Sequence, residues 1–378
     1  MTIEELDLLL DARPIMAEVH PASLLYLRAV PHVINDPVEM LQMLDAPSLA
    51  PEERCLLFSK NIGNSFPGQN EAQNALKILA SRLPNISVAH DPFGAGLNAL
   101  LPGGYEFLRS QMLCQSGLAE QITQEAASLN PQHDRVVTLW VDGLSYAEAR
   151  DFPGCEPCLV DGPTITPSGF DRLVGDPPLA ARLLQMGFTN RLGFSYWQRE
   201  DNNLANHLFR GIAQMHRARG FDDVLRVLDA QELRGAYIQI VRDGLDHLSH
   251  ARQRETPAVE ASVTQLHSHL MRLTDVLKSK PGRTLLYVAS DHGLLWKHKA
   301  ALQPLETASR STPPRYYDYN PQNGHTTPLS WNDTTTHALH FPITRRALAI
   351  DEAGCHGGLS YEESIIPFCR IALHKDEA

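Results

Sequence analysis

The hydrophobic pattern changes character once along the chain. Up to about residue 130, segments such as "IEELDLLLDA", "PVEMLQMLDA", "APEERCLLFSK", "NEAQNALKILASRL" and "GYEFLRSQMLCQSGLAEQITQEAASL" space their apolar residues three and four apart, as one face of a helix requires. Pro and Gly punctuate them, most densely in "HDPFGAGLNALLPGG". After "NPQHD" (130–134), short β-branched runs take over: "RVVTLWV" (135–141), "GAYIQIV" (235–241), "RTLLYVAS" (283–290) and "TRRALAI" (344–350). Helical patterns such as "NNLANHLFRGIAQMHRARG" and "AVEASVTQLHSHLMRLTDVLKSK" lie between them. The expectation is a helical N-terminal region over 1–134, suited to docking, followed by an α/β domain over 135–378 with a mostly parallel sheet flanked by helices.

Composition narrows the function classes. Lys and Arg number 33 against 44 Asp and Glu, a formal charge of −11, so no overall pull toward bulk nucleic acid or an anionic membrane is expected. The start, "MTIEELDLLLDARP", is acidic where a secretory signal is basic, and no run of about 18 apolar residues occurs. The expected location is cytoplasmic, with no membrane partner. Six cysteines in 378 residues do not make a disulfide framework, and the single CxxC of Cys155 and Cys158 has no second pair to complete a metal site. The dipeptides His90-Asp91 and His133-Asp134 sit beside Pro or in a polar linker and read as turn residues rather than as an HD-type phosphohydrolase centre.

Open parallel sheets place ligands outside the carboxyl ends of their strands. Those ends are where this chain carries its chemistry. The first run ends in Asp142, in "LWVDGLSY"; the second enters "VRDGLDHLSH", with Asp243 and His247 four apart; the third ends in "SDHG", giving Asp291 and His292; the fourth leads to "GCHGGLSYEES", with His356. Asp and His supply the oxygen and nitrogen ligands that Zn or Mn accepts. Each residue alone has a plainer explanation, as a helix cap or turn residue. "DGLDHLSH" contains the DxxxH spacing twice, and Asp243 with His247 is preferred to Asp246 with His250 because it follows the apolar run directly.

A hydroxyl-rich turn, "DGPTITPSG" (161–169), lies between the first two of these strands. A metal-bound hydroxyl at a helix start has a lowered pKa, and the helix N-terminus offers N–H groups to a phosphate. Thr166 is the candidate, since Pro167 after it suits a first helical turn; the alternative is that Thr164, Thr166 and Ser168 cap that helix.

In this order, Asp142, "PTITP", Asp243/His247, "SDHG" and "HGG" resemble the alkaline phosphatase superfamily, and "HGGLSYEESIIP" looks like its PglZ branch. The likeness covers about residues 135–378. It implies an alkaline-phosphatase-like core and two divalent metal ions, zinc first and manganese second. One metal falls to Asp142, Thr166, Asp291 and His292, the other to Asp243, His247 and His356. Members that cleave diesters carry P-T-x-T-x-P, whereas this chain has "PTITPSG", one residue shorter before the proline, which keeps Thr164 beside Thr166 as an alternative nucleophile.

The implied function is a metal-dependent phosphodiesterase or phosphatase with a threonine nucleophile. Its substrate is a phosphoester, including a short or cyclic nucleotide, and its setting a bacterial anti-phage system of the BREX type, or a signalling system, with protein partners. Two other classes stand beside it: a catalytically silent scaffold that binds partner proteins, and a phosphosugar mutase, disfavoured because the 166–243 interval reads as helices rather than a capping domain. Glu362 and Glu363 are candidates to orient a ligand imidazole, Ser145 reads as a helix start, and Cys355 as packed. The polar, aromatic segment 302–337, with Arg315, Tyr316, Tyr317 and His325, reads equally as a cover over the site contacting phosphate or base and as a partner-binding arm.

Overall fold

The computed structural model describes residues 113–196, 207–251, 258–297 and 352–374, together with Arg109 and short pieces between 303 and 347. The chain forms two compact units. One comprises Leu113–Trp296, Ile350–Gly357 and Glu362–Ala378; the other comprises Met1–Met112, Lys297–Ala349 and Gly358–Tyr361. The sheet-bearing unit begins at Leu113. The predicted helices before residue 113 lie outside the described residues.

The first unit is built on a seven-stranded sheet. Its strands are β1 (Arg135–Asp142), β2 (Cys155–Leu159), β3 (Asn190–Tyr196), β4 (Gln214–Arg217), β5 (Ala236–Asp243), β6 (Thr284–Ser290) and β7 (Ile365–Leu373), in the spatial order β2-β7-β6-β1-β5-β3-β4. β7 runs antiparallel to both β6 and β2; the pairs β6/β1, β1/β5, β5/β3 and β3/β4 are parallel. The α/β class with a mostly parallel sheet is therefore as the apolar runs predict. Three of the four predicted strands sit at its centre. The fourth, 344–350, does not: its described part, Arg346–Ala347, pairs with Gln303–Pro304 in the other unit.

Alternation along the central strands separates two apolar layers. Val137, Leu139 and Val141 of β1, with Ile238 and Ile240 of β5, pack toward α4 (Phe221–Ala230) and α5 (Val259–Ser279). Val136 and Trp140, with Tyr237 and Val241, pack toward α1 (Leu118–Ala126), α2 (Thr166–Val174) and α3 (Leu179–Gln185). All eight residues of β1 are buried, the condition of a central strand covered on both faces.

Packing also answers the smaller motifs. Asp134 accepts N–H groups from Asn130 and Arg283 and closes a turn, while His90-Asp91 lies outside the described residues. Cys155 and Cys158 are free thiols on one strand; burial pushes the Cys158 thiol up. No helix among the described residues is long and apolar enough to cross a membrane.

Candidate metal centre

At the carboxyl ends of β6, β1 and β5, the chain brings two groups of ligand atoms together. In the first, atoms of Asp142, Asp291 and His292 lie within 4.8 Å of one another. Asp142 ends β1, and "SDHG" turns directly out of β6. Asp291 Oδ1 accepts N–H groups from Gly143 and from His292, at 2.9 Å each. Its Oδ2 faces His292 Nε2 at 3.4 Å and has no hydrogen-bond partner among the described residues. His292 Nε2 stands 4.0 Å from Asp142 Oδ1.

In the second, Asp246, His250 and His356 come together within the same limit. Asp246 Oδ1 lies 3.4 Å from His356 Nε2, and Asp246 Oδ2 lies 3.4 Å from His250 Nε2. Asp243 and His247, the pair expected from the sequence, are not in this group. They line a separate depression with Tyr196 and Arg242, and His247 is exposed. The cause lies in the backbone. β5 stays paired with β1 to its last residue, Asp142 opposite Asp243, and the chain then folds back over Gly143. Leu245 N–H donates to Gly143 O, and Gly143 has φ +74°, with an added Cβ only 3.0 Å from Asp246 Cβ. Glycine is needed at both counts, and the fold-back delivers the second carboxylate of the motif, not the first.

The two imidazoles at the centre are fixed in orientation. His292 Nδ1 is 3.0 Å from Gly293 O, and His356 Nδ1 is 2.9 Å from Thr164 O. A carbonyl only accepts, so each Nδ1 carries the proton and each Nε2 presents its lone pair to the carboxylates. The rings are stacked, centroids 4.1 Å apart and 10° from parallel, so the two groups are neighbours. His250 is oriented from outside by Glu352, whose Oε1 is 3.1 Å from its Nδ1.

Thr166 is the first residue of α2 and is buried, with Pro167 in the first turn. Its Oγ1 is 3.2 Å from His292 Nε2, among the first group. Thr164 serves the loop: its Oγ1 accepts the Gly357 N–H at 2.9 Å while its carbonyl holds His356. α2 reaches this position because Gly169 lets it rest on the strand-end loop, where an added Cβ would lie 2.3 Å from Asp291 O. Gln115 braces the same loop, donating to Ser290 O and Asp291 O at 2.8 Å, and is itself held by Arg172 Nε at 2.7 Å. No local sequence motif marks Gly169, Gln115, Arg172 or Glu352.

Other candidates take structural roles. Ser145 Oγ accepts the Leu294 N–H at 2.9 Å. Glu363 is fully buried and near enough to favour a charged His356, while the Glu363 carbonyl accepts the Gly293 N–H. Cys355 is buried and in no disulfide, its thiol 3.8 Å from the Leu295 carbonyl. Of the segment 302–337, Tyr317 pairs with His340 through backbone hydrogen bonds in the other unit; Arg315, Tyr316 and His325 lie outside the described residues.

Burial and neighbouring charges shift the ionisation of these groups. Desolvation pushes the Asp291 carboxyl well up from the carboxylate range. His250 is raised to about 9, chiefly by its bond to Asp246, and so supplies a positive charge to that group itself. His356 is pulled down to about 4 by burial and by His292 beside it. A fully buried carboxylate with one bare oxygen, a second carboxylate and a correctly presented imidazole fit a divalent ion with oxygen and nitrogen preferences. The second group offers the same donor types.

No family model matches the chain, and no curated protein matches it. Among solved structures, murine ectonucleotide pyrophosphatase/phosphodiesterase 5 is similar at 13% identity and TM-score 0.40, over 63% of this chain and 88% of that one. Phosphonoacetate hydrolase from Sinorhizobium meliloti 1021, solved with phosphonoformate, is similar at 12% identity and TM-score 0.44, over 66% of this chain and 92% of that one.

Proposed function

We propose that this protein is a metal-dependent phosphoester hydrolase, a phosphodiesterase or phosphatase, with Thr166 as nucleophile. The observation that carries the reading is the position of Thr166 Oγ1, buried at a helix start and 3.2 Å from His292 Nε2. Asp142, Asp291, His292 and Thr166 would hold one divalent ion; Asp246, His250 and His356 would hold the other. When bound, such ions lower the pKa of a nearby hydroxyl and neutralise charge developing on phosphoryl oxygens. Zinc or manganese suits the mixed oxygen and nitrogen donors.

The residues do the rest. The start of α2 aims Thr166 Oγ1 and presents free N–H groups to a phosphoryl oxygen. Oγ1 loses its proton to solvent and forms a bond to phosphorus, while the ester oxygen departs on the opposite side, takes up a proton from solvent and leaves as the alcohol. Water then cleaves the phosphothreonine, returning the hydroxyl and releasing phosphate or its monoester. Thr164, Gly293 and Glu352 keep the three imidazoles facing inward throughout.

The setting we carry over from the PglZ-like "HGGLSYEESIIP" is a bacterial anti-phage or signalling system with protein partners, acting on a short or cyclic nucleotide. The test is turnover of nitrophenyl phosphate and bis-nitrophenyl phosphate, with added zinc and manganese, by the wild type and Thr166→Ala. Turnover by the wild type alone supports the reading. Metal-loaded wild type that cleaves neither ester would overturn it and leave the scaffold role.

A further inference from the structure

The depression left over by the fold-back of residues 243–246 has its own chemistry. It encloses about 140 Å³ and is lined by Tyr196, Arg242, Asp243 and His247, with Ser262 and Gln265 from α5. It opens at the carboxyl ends of β5 and β3, where Tyr196 is the register partner of Arg242. The metal ligand Asp142 is the register partner of Asp243 on the other side. Adjacent strands run about 4.8 Å apart, so the depression begins one strand from the proposed phosphoryl position.

Arg242 is the unusual member. It is only 6% exposed, and its guanidinium is held rigidly: Nε donates to Asp243 O at 2.7 Å and Nη1 to His269 Nδ1 at 2.9 Å. The faces of Phe221 and Tyr196 lie 5.7 and 5.9 Å away. Nη2 has no hydrogen-bond partner among the described residues, although the side chain lines the depression. Burial pulls this guanidinium down to about 10, with Tyr196 and Asp243 beside it opposing the shift. Asp243 stands at the rim and is half-buried, so solvent screens its charge more than that of Arg242. A buried cation with a free donor edge seeks an acceptor with negative charge.

We propose that this depression is a subsite for an oxyanion, a carboxylate or a second phosphate, that the substrate carries on the β5–β3 side of its phosphoryl group. The inference rests on the phosphoester reading of the neighbouring metal centre and adds the class of substrate to it. Arg242 is then a specificity residue, binding the second anion through Nη2, while Tyr196, Ser262 and Gln265 border it.

The experiment uses metal-loaded protein and two graded series of non-hydrolysable probes, measured by calorimetry. One series is phosphonoacetate, phosphonopropionate and phosphonobutyrate; the other is the corresponding alkylene diphosphonates; plain alkylphosphonates of equal length are the reference. The expected result is a gain of about tenfold in affinity over the alkylphosphonate at the chain length that spans the two positions. The series showing the gain tells carboxylate from phosphate. Arg242→Met should abolish the gain and leave alkylphosphonate binding unchanged, which also shows that the variant folds. Gln265→Glu, at an exposed position on the rim, should reduce the gain by like-charge repulsion. No gain at any length, or a gain that survives Arg242→Met, overturns the proposal while leaving the metal centre intact. An equal gain from hydroxyalkylphosphonates overturns it in favour of a neutral polyol. Failure of the alkylphosphonates themselves to bind removes the phosphoester reading, and this proposal with it.

Discussion

His292 and His356 lie ring on ring, 4.1 Å apart, each with its Nδ1–H given to a backbone carbonyl. Burial first, and then the repulsion of a second imidazolium at that distance, pull His356 down to about 4. The protons that oppose metal binding therefore sit elsewhere, on His250 and on the buried Asp291 carboxyl. His250 is raised to about 9 by Asp246, so its ion pair contributes fully below the unfolded pKa of about 6.5 and is lost as pH rises through about 9. A metal taking the same Nε2 must expel that proton. Calorimetric zinc titrations in buffers of different ionisation enthalpy should show net proton release at pH 7. That release should shrink as pH approaches 9.5 and fall by about one proton in His250→Gln.

The two threonines separate by role. Thr164→Val removes the acceptor for the buried Gly357 N–H and should cost about 1–3 kcal/mol of stability. Thr166→Val removes a hydroxyl without stranding a backbone group and should leave the melting temperature within a few degrees while turnover falls at least about a hundredfold. Thermal melts and diester assays on both variants check the pair; turnover lost only in Thr164→Val would reverse the assignment.

Gly169→Ala places a methyl carbon against Asp291 O, where 2.3 Å is available. The contact is with backbone, so α2 must shift. A cost of about 1–3 kcal/mol is expected, with loss of activity larger than the loss of folded protein, because the shift moves Thr166. Denaturant midpoints and activity per folded molecule measure the two effects.

His269 is pulled down to about 4 by burial and by Arg242, while it stacks on Phe221 at 4.6 Å. The unfolded chain takes up this proton near pH 6.5 and the folded chain near 4. Stability therefore falls as pH drops from about 6.5 to about 4. His269 is only partly buried, so solvent screening limits the loss to roughly 1 kcal/mol. His269→Gln keeps an acceptor for Arg242 without the titration. The gap between its melting temperatures at pH 7.5 and 4.5 should be smaller than that of the wild type.

The sheet's centre was legible because β1, β5 and β6 are continuous apolar runs buried on both faces. The edges were not. β4 has no buried residue, and β2, "CEPCL", has the composition of a turn. β7 contains Pro367, which marks it against a strand, yet it takes the position expected for 344–350. Whereas His356 was reached through 344–350, which lies outside this sheet, Asp142, Asp291 and His292 follow as candidates from strand ends and Thr166 from the threonine turn. The choice between two overlapping DxxxH pairs did not, since it depends on the fold-back over Gly143, a backbone path that spacing alone does not encode.

Metal content per chain, measured on the wild type and two double variants, tests the centre most directly. Two divalent ions are expected in the wild type, two in Asp243→Asn/His247→Ala, and one in Asp246→Asn/His250→Ala. Loss of an ion from the Asp243/His247 variant with both retained in the Asp246/His250 variant, or a wild type that holds none after loading, would contradict it.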